Sequence, residues 1–182
     1  MTALAHARFS QIVLPRLDEG YRLARWLTGN PTDAEDVVQE ASLRAYRGIE
    51  GFAEGNARAW FLTIVRNTCY SWLQRHRPRI IVFSEDLEAE ERNSVLDAGG
   101  VLGAEAPQTP EAALFAKDEA GRLARAINAL PVPFKEVLVL REYHGLSYRE
   151  IAEVTGVAIE TVMSRLARAR QHLLNLLESE PQ

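Results

Sequence analysis

The chain has 182 residues, a net charge of −4 and one cysteine, Cys69. That length suits one large domain or two small ones, and a lone cysteine excludes an internal disulfide and argues against a Cys-based metal site. No basic stretch followed by an apolar run opens the chain, and no stretch approaches the ~18 apolar residues of a membrane span, so a cytoplasmic protein without a signal peptide is expected.

The negative average hides an uneven distribution. From Ser84 to Gln108 seven acidic residues face a single base, Arg92, whereas from Arg58 to Arg79 there are five arginines and no acid. Cations are concentrated in one stretch where a polyanion can be met, and anions in another.

In chain order, a short amphipathic segment covers Ala5–Leu14. Pro15 suits the first turn of a helix that carries Leu17, Tyr21, Ala24 and Leu27 inward, and Gly29-Asn30-Pro31 stops it. Thr32 and Glu35 form a capping box opening a helix over Asp33–Arg47. Ala34, Val37, Val38, Ala41 and Ala45 share one of its faces, and Asp36, Gln39 and Glu40 form an acid-and-amide face. Glycines 48, 51 and 55 mark a loop over Gly48–Asn56. A long helix then spans about Ala57–His76 and ends before Pro78. Its first half, Ala59–Val65, is apolar nearly all round and belongs deep in a bundle. Arg66, Asn67, Tyr70, Trp72 and Arg75 follow on the same helix. Aromatics interleaved with cations can stack bases while neutralising phosphates, although Trp60, Phe61 and Trp72 individually suit a core better than a base platform.

Residues 84–108 read as an acidic linker. Twenty-five residues extend to roughly 85 Å, so the two halves need not touch. Thr109-Pro110-Glu111 supplies an N-cap, a first-turn proline and an acidic first turn for a helix to about Ala129. Pro131 and Pro133 precede a helix over Phe134–His144.

The most specific segment is Leu146–Leu173. Gly145 can end the preceding helix. Ser147 and Glu150 make a second capping box, with Leu146 and Ile151 placed as its hydrophobic staple. The short helix Tyr148–Val154 breaks at Gly156, which can supply a positive φ. A second helix runs from about Ile159 to Leu177, with Ile159, Val162, Met163, Leu166 and Leu173 at helical spacing on one face. Thr161, Ser164, Arg165 and Arg168 lie on another. This is a helix-turn-helix able to bury one stripe and offer hydroxyl and guanidinium groups to a major groove. A helical hairpin with a solvated polar face has the same spacing. The expected fold is all-α: two small helical domains, residues 5–79 and 109–178, joined by an acidic linker over 80–108.

The order of four blocks carries a resemblance. Asp33-Ala34-Glu35-Asp36-Val37-Val38-Gln39-Glu40, then Ala59-Trp60-Phe61-Leu62-Thr63-Ile64-Val65-Arg66-Asn67, then Leu146-Ser147-Tyr148-Arg149-Glu150-Ile151-Ala152 and Thr161 to Arg170, with an acidic linker between the second and third, resemble a bacterial sigma factor of the extracytoplasmic-function (ECF) group of the sigma-70 family. The resemblance implies domains 2 and 4 only, and an initiation factor without catalytic activity or cofactor. Asp36, Gln39 and Glu40 match the positions that dock on the β′ clamp of core RNA polymerase; an acid-amide face suits an Arg-bearing partner. The family's contact with the β flap is implied as well. Around the promoter −10 element, Asn67 matches a base-edge contact and Phe52 to Asn56 the pocket loop. Trp60 and Tyr70 are candidate stacking groups there, and Arg58, Arg66 and Arg75 match phosphate contacts. Opening that element costs a few kcal/mol of stacking and pairing, which such contacts must offset. At the −35 element, Thr161, Ser164, Arg165 and Arg168 match DNA-facing positions. Glu160 departs from the family's usual glycine and can accept from a cytosine amino group; Met163 stands where a cation is usual, and Ala53-Glu54-Gly55-Asn56 replaces the commoner Arg-Gly-bearing loop. The linker resembles the segment that occupies the polymerase cleft and RNA exit path. The family also implies an anti-sigma partner.

Two other readings compete: a helix-turn-helix regulator that binds operators without polymerase, and a sigma-like decoy that titrates an anti-sigma factor. The first leaves Asp36-Gln39-Glu40 and the Arg58–Arg79 stretch unexplained; the second does not require the arginines found in both DNA segments. An enzyme is not expected, because His6, His76, His144 and His172 are scattered and Cys69 sits mid-helix among apolar residues.

Overall fold

The computed structural model describes residues 3–80 and 110–179, with side chains from 4 to 80 and from 120 to 178. The acidic stretch 84–108 lies outside the described residues. Among those described, all regular structure is helical: α1 (Ala3–Ile12), a 3-10 turn (Leu14–Arg16), α2 (Leu17–Thr28), α3 (Pro31–Gly48), α4 (Ala57–His76), α5 (Pro110–Ala129), α6 (Val132–Glu142), α7 (Tyr148–Thr155) and α8 (Ile159–Ser179). Among the described residues, no helix is long and apolar enough to cross a membrane.

In the N-terminal half, α2, α3 and α4 pack on one another. Leu23, Ala24 and Leu27 of α2, Ala34, Val37, Ala41 and Ala45 of α3, and Phe61, Leu62 and Val65 of α4 are buried. The alanine stripe of α3 brings its backbone close to its neighbours, and the larger side chains of α4 fill the space. Gly20 serves the same end on α2: a Cβ there would stand 2.9 Å from Phe61 Cε1 and 3.1 Å from Val65 Cγ2. Fully burying side chains such as Phe61 and Leu62 stabilises the bundle by about 1.5–3 kcal/mol each.

Local chemistry corrects some expected boundaries. The N-cap of α3 is Asn30, whose Oδ1 accepts from the Thr32 and Asp33 amides at 2.8 and 3.2 Å, with Pro31 in the first turn. The expected Thr32–Glu35 capping box is therefore not the start; an asparagine cap followed by a proline with preset φ wins two residues earlier. Pro15 lies in the 3-10 turn before α2, and α6 starts at Val132 with Pro133 inside its first turn.

The second half is built on α6. All nine residues from Val132 to Leu140 are buried, including Lys135 and Glu136. A helix hydrophobic on every side needs neighbours on every side. One flank of α6 packs on α8 and the opposite flank on α2, while α7 packs on α4. The two halves thus close on each other along a seam, a proximity the linker permits and the sequence did not require.

Candidate nucleic-acid interface

The helix-turn-helix forms as its caps dictate. Ser147 Oγ accepts from the Glu150 amide at 3.3 Å, and Glu150 Oε2 accepts from the Ser147 amide at 2.8 Å. These bonds from the Ser147 amide and hydroxyl hold the Glu150 carboxyl below the ordinary glutamate range. Leu146 and Ile151 are buried as the staple, and Gly145 and Gly156 take φ of 64° and 73°. On α8 the buried stripe is Val162, Leu166, Ala169 and Leu173. Ile159 and Met163, expected on it, are 38% and 52% exposed; Met163 sits one position off the stripe, and Ile159 is in register with it but is the first residue of the helix.

Of the four residues expected to face DNA from α8, Thr161, Ser164 and Arg168 are half-buried, and Glu160 beside them is exposed. The Ser164 hydroxyl donates to the Thr161 carbonyl at 3.1 Å. Arg165 differs: it is 5% exposed, and its charge bears on Tyr70 of α4. The α8 arginine expected at the −35 element is turned toward the helix expected at the −10 element.

That helix is engaged from the other side. Arg66 donates through Nε to Glu136 Oε1 at 2.5 Å and through Nη2 to Oε2 at 3.3 Å, and the Tyr70 hydroxyl donates to Oε2 at 2.9 Å. The Arg66 guanidinium also lies over the Tyr70 ring, 4.0 Å from its centroid. Glu136 is fully buried, so a complete set of charge-assisted hydrogen bonds is what makes its burial tolerable. Burial works against the Arg66 charge, yet Glu136 and Tyr70 outweigh it and the guanidinium is held firmly protonated. Burial and the Glu136 charge push the Tyr70 phenol well above its ordinary pKa. Burial also raises the Cys69 thiol, so that sulfur behaves as packing rather than as a nucleophile.

Other candidate residues complete the seam. Arg58 donates to Glu19 Oε2 and to the His144 carbonyl, both at 2.6 Å. Asn56 caps α4 by accepting from the Ala59 amide at 3.0 Å, and its Nδ2 donates to Glu150 Oε1 at 3.2 Å. Trp26 of α2 meets Tyr143 at the end of α6, ring centroids 5.0 Å apart. His144 is buried with Nε2 unpartnered; burial, opposed by Glu19 and reinforced by Arg58 and Arg22, depresses its pKa to about 4.

Elsewhere the candidates are open. Asn67 and Arg75 are exposed; Asn67 Oδ1 lies 3.3 Å from Arg66 Nη1, and Arg75 donates to the Ser71 carbonyl at 3.0 Å. The Phe52 ring packs tilted against Trp60, centroids 4.6 Å apart, and its carbonyl accepts from Arg8. On α3, Asp36 and Gln39 are exposed, and Glu40 pairs with Arg44 at 2.8 Å. Leu43, one turn on, is 52% exposed. The structure therefore separates two sets: an acid-amide face of α3 that is open, and DNA candidates of which Arg58, Arg66 and Tyr70 are engaged across the seam and Arg165 is buried, while Asn67, Arg75 and Glu160 stay exposed.

The sequence reading missed Glu136, Glu19 and His144. Glu136 carried a usable signal, as an acid inside the otherwise apolar run Phe134–Leu140. A carboxylate on an all-buried helix needs a cation, and the distant Arg66 is that cation.

Comparison with known proteins agrees with this architecture. Residues 13–79 match the family model for sigma-70 region 2, and residues 120–173 that for sigma-70 region 4. The chain is 35% identical over 159 residues to the ECF RNA polymerase sigma-E factor of Haemophilus influenzae, covering 86% of this chain and 79% of that one. It is 34% identical over 149 residues to the sigma-E factor of Escherichia coli K12, covering 80% and 74%. With the ECF sigma factor SigE of Mycolicibacterium smegmatis it shares 32% over 170 residues, 93% of this chain but only 61% of the relative's length. Among solved structures, the sigma factor RpoE of Bartonella quintana in complex with the anti-sigma factor NepR superposes with a TM-score of 0.65 at 26% identity, covering 95% of this chain and 98% of that one. CnrH in complex with the cytosolic domain of CnrY superposes at 0.63 with 25% identity, covering 95% and 89%. With region 2 and region 4 in order on one helical chain, and relatives of this similarity, the chain belongs to the ECF group of RNA polymerase sigma factors.

Proposed function

We propose that this sigma factor joins core RNA polymerase through α3 and directs it to promoters, and that joining separates the seam. The carrying observation is the asymmetry of exposure. Asp36, Gln39 and Glu40 are available to a basic partner such as the β′ clamp, whereas Arg58, Arg66, Tyr70 and Arg165 are turned into the seam. Arg66 cannot hold Glu136 and a DNA phosphate with the same N–H groups. The free chain is then silent toward DNA. Core polymerase, contacting the clamp-facing helix and the second domain at the β flap, supplies the differential affinity that opens it.

Once open, Arg58, Arg66 and Arg75 hold phosphates at the −10 element. Asn67 reads a base edge, and Phe52, Asn56, Trp60 and Tyr70 border the extracted base. Thr161, Ser164, Arg165 and Arg168, with Glu160, read the −35 element, where phosphate contacts position the helix and a minority of base contacts specify sequence. The units are residues 5–79 and 109–178, and the acidic segment 80–108 occupies a basic polymerase channel by charge mimicry. The chain performs no catalysis and works in the cytoplasm, where polymerase is. An anti-sigma factor is its second partner; the structural neighbour RpoE is a sigma factor in complex with one, and a closed seam is the state such a partner would retain.

Reconstituted transcription tests this. Purified chain and bacterial core polymerase, given genomic DNA fragments of the host, should yield discrete starts sharing two upstream elements at fixed spacing. Core binding without starts would favour the decoy, and duplex binding without core binding the operator regulator.

A further inference from the structure

The seam encloses a cavity of about 560 Å³ where the C-terminal ends of α2, α4 and α5 meet the first turn of α6. Arg77, Arg79 and Lys135 line it, and among the described residues no carboxylate does. Lys135 is the informative member. It is 6% exposed, and its ammonium makes no hydrogen bond or ion pair among the described residues. A cation on so largely buried a side chain is ordinarily paired within the protein, and here Lys135 stands on a helix that could have carried a leucine. Burial and the nearby Arg77 lower its pKa to about 8, so it still carries its proton at neutral pH. Arg79 is exposed at the cavity mouth, likewise with no ion pair among the described residues. Arg77 is partly committed: it donates to the Thr28 carbonyl at 3.1 Å and stands 3.8 Å from Asp33 Oδ2.

Two further observations point the same way. The N-terminus of α6 opens here with Pro131 as N-cap and no side-chain cap; Pro133 has no N–H and the Phe134 N–H donates to the Pro131 carbonyl at 3.1 Å, which leaves the Val132 N–H as the first-turn donor for an anion. Leu27, Ile80 and Val132 give the cavity an apolar wall. The volume falls in the range of small-molecule sites.

We infer that the seam cavity binds a small phosphorylated anion of nucleotide size, held by Lys135, Arg77 and Arg79 at the α6 N-terminus. Because α2 and α4 supply one wall and α5 and α6 the other, such a ligand fits only the closed form and stabilises it by mass action. It would act as an effector that restrains initiation. The inference rests on the closed seam being the resting state of the free chain.

The test is isothermal titration of the full chain with ATP and, separately, with inorganic tripolyphosphate, at about 100 mM salt to screen exposed charges. Saturable one-site binding is expected. Affinity should fall about tenfold or more in Lys135→Gln, as for loss of one charge-assisted hydrogen-bonding group, and also in Lys135→Met, which keeps the apolar stem and guards against a folding artefact. Arg79→Gln, at an exposed position, should weaken binding without touching the core, and Arg149→Gln, exposed on α7, should leave it unchanged. Absence of saturation by either probe at millimolar concentration, or wild-type affinity in Lys135→Met, would overturn the inference. Start mapping with the unaltered chain judges the sigma reading separately, so the two can fail independently.

Discussion

Glu136 holds the closed form at the level of a single side chain. It is fully buried and its hydrogen-bond partners, Arg66 and Tyr70, both lie across the seam. Glu136→Gln keeps the shape but leaves the Arg66 charge uncompensated, and breaking a buried pair typically costs about 3–5 kcal/mol. The chain can escape that cost by opening. Small-angle scattering should therefore report a larger radius of gyration for Glu136→Gln, with promoter DNA binding gained in the absence of core polymerase. A variant that stays compact and silent would remove Glu136 from the resting mechanism. Gly20 illustrates a different residue-scale constraint. Gly20→Ala gains helix propensity but drives a methyl to 2.9 Å from the buried Phe61 ring; overpacking outweighs propensity, and a net loss of about 1 kcal/mol in urea unfolding is expected. Some roles were readable residue by residue, such as the Ser147–Glu150 box and the positive φ of Gly156. Asn56 was not: it was assigned to DNA, and its side chain is occupied in capping α4 and contacting Glu150.

Among the elements, α4 was foreseen with its observed limits, Ala57 to His76, because a glycine-rich loop precedes it and Pro78 follows. The start of α3 was not, since Asn30 and Thr32 are both competent caps and only the chain's path decides between them. The open face of α3 carries a direct prediction. Asp36→Arg reverses the charge offered to a basic partner, so affinity for core polymerase should fall by about tenfold or more, as for a charge reversal at an interface. Unfolding stability should change by less than about 0.5 kcal/mol, as for an exposed position. Equal core affinity would move the docking face elsewhere. The end of α6 carries a pH prediction through His144. Unfolded, its imidazole takes a proton below about pH 6.5; buried in the fold, with Glu19 opposing and Arg58 and Arg22 adding to the effect of burial, it does so only near pH 4. The unfolded or opened form binds more protons throughout that window, so stability rises with pH across it and falls on acidification, by about 2 kcal/mol from pH 7 to pH 5. Thermal melts at the two pH values should show this loss, and His144→Gln should flatten it. Glu150, with its lowered pKa, contributes stability that is lost only at lower pH, as the solution falls below the ordinary glutamate range.

On the scale of the whole molecule, periodicity and caps were sufficient to find the helices, and the order of four motifs was sufficient to find the family. Neither could find the seam. A long polar linker makes the two halves independent as far as local signals go, and the pairing of Arg66 with Glu136, seventy positions apart, has no local signature beyond an acid misplaced in an apolar run. The seam has an evolutionary corollary. On the function proposed, side chains such as Arg66, Tyr70 and Arg165 serve both in the resting protein and in the reading of DNA, so a substitution selected for a new promoter would also reset how much of the protein stands idle. Sequence preference and background activity cannot drift separately at those positions. A lineage can change its target genes quietly only by altering residues outside the shared set, such as the exposed Glu160, Met163 and Ala53-Glu54-Gly55.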